Sequence, residues 1–304
     1  MSKLDKVKKV AMAKGFAVRE NEPLKNYTSF KIGGKAEMMI IATDPQGLQD
    51  VLIVCDNEYI PVFVLGRGSN VLVADKGIDG VVIKLEGSFT NMSLVDNDEI
   101  FCGAGVSLAK LCNFAYENSL SGLEFAWGIP GSAGGAAYMN AGAYGGEMKD
   151  VLVSCTHIDN NQKQGTFIRD DLKLSYRHSV YGENSFIITG MLLKLTKDSP
   201  VEIRNRMDEY MAKRKEKQPL DYPSAGSVFK RPRDSYAGAL IEQAGLKGKQ
   251  IGDAAVSQKH CGFIVNKGNA TCKDVLELVK YIQDTIEAKN GIRLECEIKP
   301  VGKL

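Results

Sequence analysis

A nineteen-residue tract with almost no large side chains constrains the fold of this chain more than any other feature. It runs from Gly128 to Gly146 as GIPGSAGGAAYMNAGAYGG and contains seven glycines with five alanines between them. A buried helix or strand of this composition would pack weakly and would lose much backbone entropy on folding. We therefore expect the tract to let a flat or anionic ligand approach the main chain. The alternative is a crowded crossing between domains.

A second glycine-rich segment, GRGSN at Gly66–Asn70, directly follows an apolar strand predicted at Val62–Leu65. Backbone amides at the end of a strand can converge on a phosphate, although an ordinary tight turn explains the same residues. Val71 stands where the dinucleotide-binding pattern G-x-G-x-x-G requires its third glycine, and the chain has no P-loop sequence. The sequence therefore argues against a Rossmann domain and against an NTPase.

Composition excludes several functional classes. Thirty-nine basic and 37 acidic residues give a net charge of +2, and the basic run Lys213–Lys217 contains Glu216 and predicts a solvated helix end rather than an RNA site. No apolar run approaches the length of a membrane span. Seven scattered cysteines and three isolated histidines lack the spacing of a disulfide framework or a metal site. We expect a cytoplasmic protein that binds neither nucleic acid nor membrane and holds no metal.

Hydrophobic periodicity predicts a mixture of helices and strands in three parts, at residues 1–90, 91–216 and 217–304. The third part begins at the linker-like segment QPLDYPSAG, and its long helix should end at Asn290-Gly291. The predicted helices are Leu4–Ala11, Pro45–Cys55, Leu108–Asn118, Val201–Lys217 and Val275–Ile286. The predicted strands are Met38–Ala42, Val62–Leu65, Val81–Leu85, Val151–His157, Phe186–Leu195 and Leu294–Val301.

Six motifs occur in order along nearly the whole chain. They are NYTSFKIGG (Asn26–Gly34), GRGSNVL (Gly66–Leu72), GIPGSAGGAAYMNAGAYG (Gly128–Gly145), YRHS (Tyr176–Ser179), SAGSVFKRP (Ser224–Pro232) and LECEIKPVG (Leu294–Gly302). Together they resemble the UDP-N-acetylenolpyruvylglucosamine reductases (UDP-N-acetylmuramate dehydrogenases), flavoenzymes of bacterial peptidoglycan synthesis. The short separation of Arg177 and Ser227 leaves no room for the tyrosine-bearing insertion of the longer branch, so the chain resembles the shorter branch, with a more open substrate site.

The resemblance implies an α+β fold with a two-subdomain FAD-binding domain of the vanillyl-alcohol-oxidase type and a C-terminal α+β substrate-binding domain. FAD would lie between the first two parts, and the third would close over the substrate. Main-chain amides of the glycine-rich segments would hold the FAD pyrophosphate without a positive side chain. The implied FAD-binding residues are Tyr27, Thr28, Ser29, Phe30, Lys31, Ile32, Gly66, Arg67, Gly68, Ser69, Asn70, Val71, Gly128, Ile129, Pro130, Gly131, Ser132, Gly134, Gly135, Ala136, Asn140, Ala141 and Gly142.

The resemblance also implies the reaction. NADPH would reduce FAD, and UDP-N-acetylglucosamine enolpyruvate would then accept hydride from flavin N5 at C3 and a proton at C2. Ser227 would donate that proton, and Arg177 and Glu297 would stabilise the enolate-like intermediate. Glu295 competes with Glu297, because two residues two apart in a strand share a face. The implied substrate-binding residues are Tyr144, Lys230, Arg231 and His260, and we expect a monomer.

Two other functions compete with this one. An FAD-dependent sugar or alcohol oxidase would keep the fold, but such enzymes often tether the flavin through a histidine or cysteine, and neither glycine-rich segment contains a histidine. A non-catalytic sensor of UDP-sugars or nucleotides would have no need for the intact Arg177, Ser227 and Glu297. The reductase is therefore the function that the sequence predicts.

Overall fold

The structure is a computed structural model that describes residues 2–304, and its mixture of helices and strands confirms the α+β class. The helices are α1 Lys3–Ala13, α2 Pro45–Asn57, α3 Leu108–Glu117, α4 Ala133–Met139, α5 Pro200–Lys217, α6 Ala237–Gln243 and α7 Cys272–Asn290. The strands up to the glycine-rich tract are β1 Ala17–Pro23, β2 Lys35–Ala42, β3 Val62–Val64, β4 Val71–Val73, β5 Ile78–Leu85, β6 Met92–Asp96, β7 Glu99–Gly103 and β8 Leu120–Ser121. The remaining strands are β9 Gly142–Ala143, β10 Gly146–Glu147, β11 Leu152–Ile158, β12 Gln164–Ile168, β13 Ile187–Lys194, β14 Thr196–Lys197, β15 Ser224–Ser227, β16 Gln250–Ile251, β17 Ala254–Val256, β18 Phe263–Asn266 and β19 Lys299–Val301.

Contacts divide the chain into two compact units, each made of several chain segments. Unit 1 contains the chain up to Glu20 together with Met38–Arg67 and Gly80–Lys213. Unit 2 contains Asn21–Glu37, Gly68–Asp79 and Arg214–Leu304. The three-part division at residues 90 and 216 stays a prediction.

Two sheets carry most of unit 1. Strands in the order β1-β2-β5-β3 form the first sheet, in which β3 and β5 are parallel, and α1 and α2 share a core with it. Helix α2 forms because Leu48, Val51, Leu52 and Cys55 recur at helical spacing and are all buried. The second sheet is antiparallel, in the order β12-β11-β13-β7-β6, and shares its core with α3 and α4.

Unit 2 is built on an antiparallel sheet in the order β15-β18-β17-β16. Helix α7 belongs to the same core through Val275, Leu278, Val279, Ile282 and Ile286, the stripe that predicted it. Its N-terminus is capped by a Thr271–Asp274 capping box, and its C-terminus is followed by Gly291 at a φ of +67°. The predicted helix end at Asn290-Gly291 is therefore confirmed.

The predicted final strand at Leu294–Val301 is wrong in its first half. Only Lys299–Val301 forms a strand, β19, which pairs in parallel with β4. Before it, a single bridge joins Phe229 to Cys296, and the amides of Glu297 and Ile298 both approach the carbonyl of Val228, at 2.7 and 3.4 Å. Because two successive amides share one carbonyl, the ladder is interrupted there, and strand alternation does not place Glu295 and Glu297 on one face.

The expectation that the glycine-rich tract is unsuited to a buried helix is also wrong. Residues Ala133–Met139 form α4, whose first amides are bonded within the protein: Ala133 donates to the Val106 carbonyl at 2.8 Å and Gly134 to the Ala104 carbonyl at 2.9 Å. A Cβ on Gly134 would lie 2.8 Å from that of Ala104. Small residues are needed here because the helix packs almost backbone to backbone on a neighbouring segment.

None of the helices described in residues 2–304 combines the length and the apolar character that a membrane span requires. All seven cysteines are free thiols, and six of them are buried. Burial raises the pKa of the Cys55, Cys102 and Cys155 thiols to about 12, so they are protonated and unreactive at neutral pH.

Unit 1 contains a buried histidine, His157, in strand β11. His157 is 4% exposed and packs against the rings of Phe167 and Phe186, with centroid distances of 4.5 and 4.9 Å, while those two rings stack on each other at 5.9 Å. The Tyr181 hydroxyl donates to the Cys155 carbonyl at 3.3 Å, so we assign the 3.0 Å contact to His157 Nδ1–H as the donor. Burial lowers the pKa of His157, because the charged imidazolium would lose its hydration.

We expect this histidine to make folding pH-dependent. Because its folded pKa lies below the unfolded value of about 6.5, the unfolded state binds more protons as the pH falls, and stability decreases below about pH 6.5 by at most about 1.4 kcal/mol per pH unit. Urea unfolding between pH 5 and 8 measures this slope. His157→Phe keeps an aromatic ring against Phe167 and Phe186 and should flatten the slope. An unchanged slope in that variant would assign the dependence to other groups.

Candidate active site

The GRGSN loop offers its backbone amides to a ligand. In the part of the chain that the structure describes, no hydrogen bond to a protein acceptor is donated by the amides of residues 66–70. Gly68 has a φ of +62°, the left-handed conformation around which successive amides form an anion-binding nest. Such unused amides suit a diphosphate, and the loop is therefore the strongest candidate for a phosphate-binding element.

Each glycine of this loop lies close to another motif, and at Gly68 the neighbouring atoms belong to the backbone. Within unit 1, a Cβ on Gly66 would lie 2.5 Å from Ser132 Oγ, in the glycine-rich tract. Within unit 2, a Cβ on Gly68 would lie 2.3 Å from the Tyr27 carbonyl oxygen and 2.8 Å from Thr28 Cα, in the NYTSF motif. Gly66 thus lies against the glycine-rich tract within unit 1, and Gly68 lies against the NYTSF motif within unit 2.

Lys84 supports the loop from behind and was missed by the sequence analysis. Its ammonium group donates to the carbonyl of Gly66 at 2.8 Å and lies 3.5 Å from that of Leu65. Burial lowers the pKa of Lys84, since its charge is partly removed from water. The available signal was a lysine in the otherwise apolar strand VVIKL of β5.

Ser29 joins three predicted motifs within unit 2. Its hydroxyl donates to the Ser224 carbonyl at 2.7 Å, and its amide donates to the Gly68 carbonyl at 3.1 Å. The side chains of Phe30 and Ile32 lie in the core of unit 2, and Thr28 is buried with its hydroxyl bonded to the Ile32 carbonyl. In the NYTSF motif the main chain and Ser29 are thus better placed for a ligand than the apolar side chains.

The remaining predicted FAD contacts are of mixed exposure. Arg67, Pro130 and Gly135 are exposed, whereas Gly131, Ser132 and Ala136 are buried. Lys31 is exposed, and Val71 is the first residue of β4. The half-buried residues are Tyr27, Ser69, Asn70, Gly128, Ile129, Ala141 and Gly142. Their roles toward FAD stay predictions.

Arg177 occupies the tip of a two-residue turn in unit 1. The turn is closed by mutual backbone hydrogen bonds between Ser175 and His178, of 3.2 and 3.0 Å. Arg177 has a φ of +54°, which costs a residue with a Cβ roughly 1–2 kcal/mol. Its guanidinium lies 3.4 Å from the Gly142 carbonyl oxygen and over the Tyr176 ring at 5.0 Å. Such a costly conformation is typical of functional positions, where surrounding contacts enforce it.

The backbone segments that carry Ser227 and Glu297 are hydrogen-bonded to each other in unit 2. Ser227 is the last residue of β15 and pairs with Phe263, and the next residue, Val228, accepts from the Glu297 amide at 2.7 Å. Asn70 of the GRGSN loop donates its side-chain amide to the Glu297 carbonyl at 3.2 Å. The segment carrying Glu297 is thus fixed between the loop and the strand end of Ser227.

The competing carboxylate, Glu295, has a different environment. Its side chain is 71% exposed and forms an ion pair with Lys230, whereas Glu297 is half-buried. A carboxylate exposed to this extent is a weak candidate for catalysis, because water screens its charge. The environment therefore favours Glu297 for the predicted role.

Of the four predicted substrate-binding residues, one belongs to unit 1 and three belong to unit 2. In unit 1, Tyr144 lies at the β9–β10 turn and stacks on Tyr210 with ring centroids 4.8 Å apart. In unit 2, Lys230 pairs with Glu295, and the exposed Arg231 lies over the Tyr236 ring at 4.1 Å. His260 accepts at Nδ1 from the Gly262 amide at 3.1 Å, and burial lowers its pKa, so it is neutral at pH 7. Among residues 2–304 no cluster of His, Cys, Asp or Glu could hold a metal ion.

Two family models match the chain. The model described as an FAD binding domain matches residues 36–168, and the model described as UDP-N-acetylenolpyruvoylglucosamine reductase, C-terminal domain, matches residues 218–301. A reticuline dehydrogenase variant of berberine bridge enzyme shares the fold at 14% identity, with a TM-score of 0.51 over 64% of this chain and 44% of that one. The FAD-binding fold predicted from the motifs is confirmed.

Relatives match over nearly the whole length. The UDP-N-acetylenolpyruvoylglucosamine reductase of Syntrophomonas wolfei is 48% identical over 94% of this chain and 95% of its own. The reductase of the same name from Caldanaerobacter subterraneus is 49% identical over 93% of both chains. The crystal structure of the UDP-N-acetylenolpyruvylglucosamine reductase of Thermus caldophilus has a TM-score of 0.81 and 37% identity, covering 94% of this chain and 98% of that one. Such identity over full length shows that the chain belongs to the UDP-N-acetylenolpyruvoylglucosamine reductase family.

Proposed function

We propose that the protein catalyses the NADPH-dependent, FAD-mediated reduction of UDP-N-acetylglucosamine enolpyruvate to UDP-N-acetylmuramate, a step in peptidoglycan precursor synthesis. The observation that carries this proposal is the full-length identity of 48% to a reductase of that name, with the predicted Arg177, Ser227 and Glu297 all present. The environment of each of these residues supports the assignment.

The residues present fit FAD. Five unused amides at Gly66–Asn70, and a glycine at Gly68 where the neighbouring backbone leaves no room for a Cβ, suit a diphosphate held by the main chain. In the glycine-rich tract, the amides of Ala133 and Gly134 are already bonded within the protein. The GRGSN loop is therefore the principal candidate for holding the pyrophosphate. Lys84 fixes the carbonyl side of the loop and would contribute a positive charge to this part of the site. FAD, when bound, supplies the hydride chemistry that no amino-acid side chain can supply.

Arg177 would stabilise the negative charge that develops on the enolpyruvyl group. Hydride arriving at C3 pushes electrons toward C2 and the adjacent carboxylate, and a guanidinium stays charged at any physiological pH and can bind a carboxylate with two parallel hydrogen bonds. The enforced φ of +54° keeps the residue at the tip of its turn. A positioned cation of this kind lowers the barrier because it needs no reorganisation during the reaction.

Ser227 would protonate C2, and Glu297 would assist. A serine hydroxyl is a weak acid and can donate only to a strongly basic carbanion, such as the enolate formed by hydride addition. Ser227 is half-buried at the end of a hydrogen-bonded strand, and the Glu297 amide donates to the carbonyl of the next residue, Val228. Tyr144, Lys230, Arg231 and His260 remain the proposed contacts of the diphosphate, sugar and carboxylate.

We also propose that the protein is a cytoplasmic monomer. Seven free thiols, six of them buried, suit a reducing compartment, and the ordinary composition needs no partner to bury its core. Gel filtration with light scattering tests the oligomeric state: one chain per particle supports the proposal, and a stable dimer contradicts it.

The visible spectrum and two half-reactions test the function. We expect the purified protein to be yellow, to be bleached by NADPH under anaerobic conditions, and to recover its colour on addition of UDP-N-acetylglucosamine enolpyruvate. UDP-N-acetylglucosamine lacks the vinyl ether and is the matched control, which should leave the flavin reduced. A colourless protein would favour the sensor, and reoxidation by oxygen but not by the enolpyruvyl nucleotide would favour an oxidase.

A further inference from the structure

We propose that Asn140 is a positioning residue, which fixes the turn carrying Arg177 through the carbonyl of Ser175. This inference deepens the proposed function and rests on the role of Arg177 given above. Asn140 was predicted from the motif as an FAD contact. The structure gives its side chain a different set of partners.

Both ends of the Asn140 side chain are hydrogen-bonded within unit 1. It is 0% exposed, its Nδ2 donates to the Ser175 carbonyl at 2.9 Å, and its Oδ1 accepts from the Lys149 amide at 2.8 Å. No part of this side chain reaches the surface. Its contacts therefore support backbone segments, and its complete burial keeps it from a ligand at the surface.

Few residue types can occupy this position. Asn140 follows the last residue of α4 at a φ of +42°, a left-handed conformation that asparagine tolerates better than other residues with a Cβ, apart from aspartate. The site also needs a donor on one side and an acceptor on the other, which a side-chain amide provides. Aspartate would keep the left-handed backbone conformation and the acceptor for the Lys149 amide. It would, however, place an oxygen that cannot donate against the Ser175 carbonyl.

The end of α4 holds the Arg177 turn on both sides. The Ser175 carbonyl accepts from both Asn140 Nδ2 and the His178 amide, at 2.9 and 3.0 Å, so one oxygen fixes the start of the turn and closes it. On the other side, Ser179 is fully buried, and its hydroxyl donates to the Tyr138 carbonyl at 2.6 Å.

These contacts explain how Arg177 keeps its unfavourable backbone conformation. A left-handed arginine at a two-residue tip persists only if neighbouring bonds over-determine it. With the Asn140 bond lost, the turn would still be closed by His178 and held to α4 at Ser179, but its start at Ser175 could shift. A displacement of about 1 Å at a catalytic group can cost roughly 10²-fold in rate.

The test uses the full-length FAD-loaded enzyme and follows the two half-reactions separately. Asn140→Gly keeps the backbone conformation and removes the side chain, and Asn140→Asp keeps shape and acceptor but loses the donor. We expect both variants to be reoxidised by UDP-N-acetylglucosamine enolpyruvate about 10- to 10²-fold more slowly. FAD affinity and the rate of bleaching by NADPH should stay near parental values. Parental reoxidation in both variants would overturn the proposal.

Asn118→Gly is the matched control. Asn118 also follows a helix of unit 1, α3, and its side chain donates to a backbone carbonyl, that of Phe114, at 2.7 Å. Its loss should lower stability without changing either half-reaction. If Asn118→Gly slowed reoxidation as much as Asn140→Gly, the effect would be one of general stability, and the positioning role would be wrong.

A double-mutant cycle with Arg177→Ala separates this inference from the proposed function. If Asn140 acts through Arg177, adding Asn140→Gly to Arg177→Ala should cause no further loss of reoxidation rate. If the double variant instead lost the product of the two single-variant rate decreases, Asn140 would act elsewhere. That result would overturn this inference but not the proposed function. If Arg177→Ala itself reoxidised at the parental rate, the assigned role of Arg177 in the proposed function would fail instead.

Discussion

Replacing Ser227 with alanine should slow reoxidation of the reduced enzyme by UDP-N-acetylglucosamine enolpyruvate by about 10²–10⁴-fold, the usual loss on removing a general acid. Reduction of the flavin by NADPH should continue at the parental rate, because that half-reaction needs no proton at C2 of the sugar nucleotide. Rapid mixing under anaerobic conditions, followed through the flavin absorption, measures the two rates separately. The split between them distinguishes loss of a proton donor from general damage.

Two further serine variants sharpen the interpretation. Ser227→Cys replaces the hydroxyl with a more acidic group of similar size and should retain part of the rate. Ser224→Ala, in the same strand, keeps the backbone carbonyl that accepts from Ser29 and should reoxidise near the parental rate. If Ser227→Ala also reoxidised near that rate, the proton would come from another donor, and the role assigned to Ser227 would be wrong.

Local signals were sufficient for much of the fold. The stripe on α7, its capping box and Gly291 lie within one stretch of sequence, so the helix and its end could be predicted without knowing what it packs on. Helix α4 could not be predicted in this way, because its small residues are explained by Ala104 and Val106 on a distant segment. The first half of the final strand failed for a similar reason, since its interruption depends on the Val228 carbonyl.

The candidate site likewise has features that the sequence could predict and features that depend on distant contacts. Motif resemblance identified the segments, but it could not show that Ser29 joins the GRGSN loop to the strand of Ser227, because that contact spans 195 residues of sequence. The contact of Lys84 was missed, and the side-chain partners of Asn140 could not be foreseen, because sequence context does not show what their polar atoms contact. Their importance depends on two carbonyl groups, of Gly66 and Ser175, that only the folded chain places beside them. Contacts to FAD and substrate remain predictions.

Replacing Gly68 with alanine should weaken FAD binding by at least about 10²-fold, the expected loss for two phosphate–amide hydrogen bonds of roughly 1.5 kcal/mol each. A Cβ at this residue would lie 2.3 Å from the Tyr27 carbonyl oxygen and 2.8 Å from Thr28 Cα, and these backbone atoms cannot rotate away. The φ of +62° adds a cost of about 1 kcal/mol for alanine. The loop must therefore move, and the amides that would hold the pyrophosphate move with it.

Titration of apoprotein with FAD, followed by quenching of flavin fluorescence, measures the loss, and circular dichroism checks that the variant is folded. Gly245→Ala is the matched control, because Gly245 has a φ of +77° but no atom within 4 Å of its added Cβ, so it carries the backbone cost without the clash. Gly66→Ala should lie between the two, since its Cβ meets only the hydroxyl of Ser132, at 2.5 Å, and that side chain can rotate. Parental FAD affinity in a folded Gly68→Ala protein would mean that the pyrophosphate is held by another segment, because no alanine fits this loop as it stands.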